Sequence, residues 1–129
     1  MSGRVVHFEV PFDDAERAKG FYQEAFGWDI MSMPEMQYNL VSSGPTDMQT
    51  GPTEPGFING GMFARGVNAA TSPVLVIDVP EIDHALEKIE KLGGLTVTAK
   101  APVGDMGFAA YFKDTEGNLL GLWQSAQQS

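Results

Sequence analysis

The sequence predicts an α+β protein of two βαβββ modules, whose strands form a curved, partly open mixed sheet with the helices on its outer face. Three observations carry this reading. A strand ending in Val-Pro occurs twice, at Val10-Pro11 and at Val79-Pro80. Each is followed by a segment of helical period that stops at glycine, and each helix by three strand-like runs. Either half spans roughly 60 residues, below the size that usually folds well alone, so the halves must pack on each other or on a partner chain.

Taken in order, Val5, His7 and Glu9 alternate with Val6, Phe8 and Val10, which is a strand with one polar-leaning and one apolar face. Pro11 ends it. Asp13 reads as an N-cap with Glu16 in capping-box spacing, and Ala15, Ala18, Phe21, Tyr22, Ala25 and Phe26 recur at helical period up to Gly27. Trp28–Met33 and Met36–Val41 follow as strands around Pro34-Glu35. The stretch from Ser42 to Phe57 exceeds the usual loop length, which favours a lid, a dimer contact or disorder. Ile58–Ala64 is a strand weakened by Gly60 and Gly61.

The second module repeats the order. Val74–Val79 is its first strand, and Ile82, Ala85, Leu86, Ile89 and Leu92 give a helical stripe ending at Gly93-Gly94. Leu95–Thr98, Gly107–Phe112 and Leu119–Trp123 are the three strands. Lys100–Gly107 reads as a loop whose Asp105-Met106-Gly107 could cap a cavity, and Asp114–Asn118 as a turn. The modules are thus about residues 4–65 and 73–124 of one domain spanning 1–129.

Composition narrows function. The chain has 129 residues, 43% hydrophobic and 19% charged, as in a globular protein. Its 17 acidic and 8 basic residues give a net charge of −9, a field that repels phosphate backbones and anionic lipid, so neither nucleic acid nor membrane is an expected partner. With no cysteine there is no disulfide, thiolate nucleophile or iron–sulfur ligation, and any metal must use His, Asp, Glu or Gln. No secretory signal pattern opens the sequence, so the expected location is cytoplasmic. Phosphate-cradling loops and nucleophile elbows are absent as well.

The paired βαβββ pattern now combines with particular residues. His7 on the first strand, Asp13-Asp14-Ala15-Glu16-Arg17-Ala18 with Phe21-Tyr22 and Phe26-Gly27-Trp28, and the closing Phe112-Lys113-Asp114-Thr115-Glu116-Gly117-Asn118 resemble the vicinal oxygen chelate superfamily of glyoxalases, extradiol dioxygenases and bleomycin-resistance proteins. The likeness covers about residues 4–124. Ile58-Asn59-Gly60-Gly61-Met62 and Gly121-Leu122-Trp123-Gln124 look like a glyoxalase-like subgroup without a secure activity. The resemblance implies a homodimer. In metal-dependent members it implies ligands on four strands, one pair per module. The first position matches His7, its counterpart is Val76, the expected glutamate falls at Gly121, and the fourth lies near Gly60 or Gly61.

Valine and glycine side chains offer no donor, so no family-type metal site and no cofactor are expected. A rebuilt divalent site would have to draw on His7, Glu9 and Asp78. The leading expectation is a pocket for a small organic molecule, lined by His7, Tyr38, Val76, Tyr111, Gly121 and Trp123, with glycine at 121 leaving room. The alternative is a lyase or isomerase acting on a small carbonyl compound, with His7 and Glu9 as catalytic acid–base groups, or His7 with Asp78. Each residue also has a plain packing role: a hydrogen-bonded structural histidine at His7, a core-filling indole at Trp123, half-buried packing at Tyr38 and Tyr111.

Overall fold

The computed structural model describes residues 3–126. The elements run β1 (Val5–Phe12), α1 (Ala15–Phe26), β2 (Asp29–Met33), a 3-10 turn at Pro34–Met36, β3 (Tyr38–Ser42), β4 (Thr46–Asp47), β5 (Gly51–Pro52) and β6 (Asn59–Ala64). They continue as β7 (Val74–Asp78), α2 (Ile82–Lys91), β8 (Leu95–Val103), β9 (Gly107–Lys113) and β10 (Leu119–Ser125). The chain divides into two units. One is His7–Pro73; the other gathers the residues from Val74 onward with the leading residues of β1, where Arg4 O accepts from Asp78 N at 2.9 Å.

The fold class read from the sequence holds, and the repeat extends to the order of strands. In the first module the order is β1-β6-β3-β2, with β1 and β6 parallel and the other pairs antiparallel. In the second it is β7-β10-β9-β8, again with the first pair parallel and the rest antiparallel. First and last strands of a module lie side by side because the helix between them provides the crossover that parallel pairing requires.

The helices differ in how they are held. On α2, Ile82 and Leu86 are buried against Ala110, Phe112 and Leu122, with Ile77, Val79, Phe108 and Leu120 around them. Burying such side chains is worth about 1.5–3 kcal/mol each, so this stripe holds α2 on its sheet. Glu81, at the N-cap, makes no side-chain capping bond, and Gln124 Oε1 accepts from Ile82 N at 2.8 Å instead. By contrast α1 buries no residue. Its aromatic stripe packs on itself and on Trp28: Tyr22 stacks on the indole at 4.7 Å, while Phe21 and Phe26 stay 59% and 63% exposed.

Four expectations shift. The N-cap of α1 is Asp14, one residue later than the spacing suggested; its carboxylate accepts from Arg17 N at 2.9 Å, and Asp13 pairs with Arg65 at 2.9 Å. The long stretch after Ser42 folds into the β4–β5 hairpin. Asp47 accepts from Gln49 N and Thr50 N at its turn, and Asn59 ties the hairpin to β6 through Ser43 N and Thr46 Oγ1. The expected loop at 100–107 is mostly strand, because register shifts between Thr96 and Ala101 let β8 run on to Val103, and Pro102 is tolerated on an edge strand. Asp105 and Met106 form the β8–β9 turn, with Met106 N bonding Val103 O.

Candidate functional site

The alternation of β1 puts His7 and Glu9 on one face, and the parallel register sets them opposite Asn59 and Gly61 of β6. Gly61 is also the partner of Leu40 on β3, which carries Tyr38 two residues earlier, on the same face. The tyrosine ring crosses directly over Gly61: a Cβ there would overlap the Tyr38 hydroxyl and ring. The glycine that weakened the strand reading is what lets the ring reach β1.

The Tyr38 hydroxyl then bridges the two candidate residues. It donates to Glu9 Oε2 at 2.9 Å and lies 2.7 Å from His7 Nε2. A phenol has one proton, and that proton goes to the carboxylate, so Nε2 of His7 must be the donor in the second bond. His7 is therefore held as the Nε2–H tautomer, with the lone pair on Nδ1. Burial pushes its pKa down to about 4, so the ring is neutral at neutral pH. Glu9 is only 7% exposed, and Phe63, fully buried, stacks on the tyrosine ring at 6.0 Å.

The other predicted residues meet in the second unit. Gly121 has Val76 as its partner on β7 and Tyr111 as its partner on β9, on the face turned away from α2. The room that glycine leaves is taken up: a Cβ at Gly121 would meet Val76 Cγ2 at 3.2 Å and Tyr111 Cε1 at 3.5 Å, and both neighbours are buried. Trp123 pairs with Asp78 in the strand register, and its ring rests on Gly107. The site residues read from the sequence thus form two groups, His7–Glu9–Tyr38 in one unit and Val76–Tyr111–Gly121 in the other, with Trp123 and Asp78 one step along. His84 is exposed, as its place off the stripe of α2 implies.

Tested against a divalent metal, the donor set does not fit the four-strand pattern. Val76 and Gly121 carry no donor, Gly61 is covered by Tyr38, and both His7 Nε2 and Glu9 Oε2 are engaged by the phenol. Among the described residues no group of three or more His, Asp or Glu stands close enough to hold an ion. Nor is any helix long and apolar enough to cross a membrane. The closing motif has a structural part: Asp114 accepts from Glu116 N and Asn118 N, and from the Asn118 side chain at 3.0 Å. These bonds, the Asn118 side chain foremost, hold its carboxyl below the usual carboxylate range.

Two βαβββ modules of like strand order give this chain an architecture that resembles the vicinal oxygen chelate superfamily. Residues 4–44 match the family described as bleomycin resistance protein-like N-terminal. A glyoxylase-like domain-containing protein of Didymella fabae is 27% identical over 122 residues, covering 92% of this chain and 91% of that one. CFP32 of Mycobacterium tuberculosis, which carries a glyoxylase name, is 25% identical over 117 residues, covering 87% of this chain. The chain spans only 42% of that relative's length. Among solved structures, a methylmalonyl-CoA epimerase of Streptomyces coelicolor superimposes with a TM-score of 0.64 at 14% identity, covering 100% of this chain and 99% of its own, a likeness of fold alone.

Proposed function

We propose that this glyoxalase-like protein binds a small organic molecule without a family-type metal or other cofactor, and that His7 and Tyr38 supply the polar contacts in its first module. The observation that carries the reading is the tyrosine hydroxyl held between His7 Nε2 and Glu9 Oε2. It engages one donor atom each of His7 and Glu9, and it fixes His7 as a neutral ring with an acceptor at Nδ1. Such a ring suits hydrogen bonding to a hydroxyl or amide of a ligand. It suits proton abstraction less, because a base with pKa about 4 is weak at neutral pH. That favours binding over the lyase or isomerase alternative with His7 and Glu9.

The test is thermal unfolding of metal-free and metal-supplemented protein, followed by a screen of small aromatic and carbonyl compounds. Zinc, nickel and manganese at stoichiometric concentration should leave the midpoint unchanged, and a binding compound should raise it in wild type but not in Tyr38→Phe. One equivalent of metal retained by wild type and lost in His7→Ala would overturn the reading.

The same reading includes a homodimer. The exposed Phe21 and Phe26 on a helix that buries nothing form an apolar face, and a second copy meeting it about a two-fold axis covers both at once. Light scattering on the eluting protein should give a dimer for wild type and a monomer for Phe21→Ser/Phe26→Ser. A monomeric wild type at micromolar concentration contradicts it.

A further inference from the structure

We infer that the first module carries a second binding site, a hollow that takes a small monocarboxylic acid with its carboxylate on Lys19. The hollow has a volume of about 220 Å³ and lies where the end of β1, the first turns of α1, β2 and the β2–β3 turn come together. That is the share of roughly seven water molecules in the liquid, enough for a compact acid. It goes beyond the function proposed above: of the polar residues named there only Tyr38 borders it, and neither His7 nor Glu9 lines it.

Charge selects the ligand. Lys19 is the one formally charged residue among those that line the hollow, and its ammonium has no ion pair or hydrogen bond among the described residues. In a chain of net charge −9, most of the surface repels anions, so a cation left without a partner in a recess marks the place where one can settle. Of the other polar side chains there, Asn39 donates to Met62 O, while the Ser32 hydroxyl and the Gln37 amide have no hydrogen-bond partner among the described residues. The Tyr38 hydroxyl, by contrast, has already given its proton to Glu9. Ammonium, hydroxyl and amide together match the acceptor sites of one carboxylate. The single positive charge matches a monoanion better than a phosphate, and Phe12 and Val67 offer apolar surface to a hydrocarbon body.

The probe is benzoate, titrated into the full chain in low-salt buffer and followed by saturation-transfer NMR, with benzamide as its neutral counterpart. Wild type should bind benzoate saturably. Lys19→Gln should weaken it by about tenfold or more, the usual scale for losing a hydrogen-bonded charge, and benzamide should bind wild type about as weakly. Lys100→Gln, which removes the same charge from the second module, should leave benzoate affinity unchanged. Circular dichroism confirms that both variants fold. Equal benzoate affinity in Lys19→Gln, equal affinity for benzamide, or no saturable benzoate binding to wild type would overturn the proposal. None of these outcomes depends on His7 or on metal, so failure here is distinct from failure of the function proposed above.

Discussion

Gly60→Ala and Gly61→Ala are each expected to lower the unfolding free energy by about 3 kcal/mol, through different collisions on opposite faces of one strand. At Gly60 the added methyl collides with Phe8 O, a backbone atom of the neighbouring strand, and with the Phe8 ring. A carbonyl cannot rotate aside as a side chain can, so β1 must move away from β6 and the parallel ladder between His7–Phe12 and Asn59–Ala64 is strained along its length. At Gly61 the methyl meets only Tyr38, but that ring is pinned by Phe63 stacked on it and by His7 and Glu9 at its tip. Ejecting it breaks two hydrogen bonds to partly or fully buried groups, each worth about 1–3 kcal/mol when its partner is left without one. Urea unfolding should show both losses. The His7 ring resonances should separate the variants: large shifts in Gly61→Ala, small ones in Gly60→Ala. A Gly61→Ala protein with wild-type stability and unchanged His7 resonances would mean that the tyrosine does not lie over the glycine.

What the sequence revealed of this arrangement follows from range. Period and punctuation gave both modules, because Val-Pro, a helical stripe and a closing glycine are local signals. The register of the two Val-Pro pairs even aligned Val76 with the module's first-strand position, and the structure makes Val76 and Gly121 direct partners. The bridge between His7 and Tyr38 was not legible, although both residues stood out, because they are 31 residues apart and meet only through the register of β1, β6 and β3. The signal that was present, two consecutive glycines in an apolar strand, was read as weakness when it meant close approach from both sides. Helix α1 carries its aromatics at helical period as read, and Phe21 and Phe26 meet each other and Tyr22 rather than a sheet, contacts that the period alone does not specify. Lys19 went unnoticed for the same reason: a hollow is made by what four segments leave open, and no local pattern encodes it.

Stability should rise with pH between about pH 4 and 6.5 by an amount that disappears in His7→Gln. The folded protein holds His7 at a pKa of about 4, below its ordinary 6.5, so within that window the unfolded chain binds the extra proton and the folded one does not. Proton uptake therefore favours unfolding, and raising the pH through the window removes that bias; above 6.5 the contribution is constant and the full stabilisation is present. The shift corresponds to at most about 3 kcal/mol, less to the extent that the partly buried ring keeps contact with solvent. Other groups titrate below pH 5, so the quantity to measure is the difference between the wild-type and His7→Gln unfolding curves at each pH. Direct NMR titration of the folded protein gives the second reading, and a His7 that protonates near 6.5 would contradict both. The outcome bears on function because the protonated ring would offer two donors and no acceptor. Nδ1 is available to a ligand hydroxyl or amide only while the ring is neutral, and the burial that keeps it so between pH 5 and 8 keeps the site a binding surface of fixed polarity.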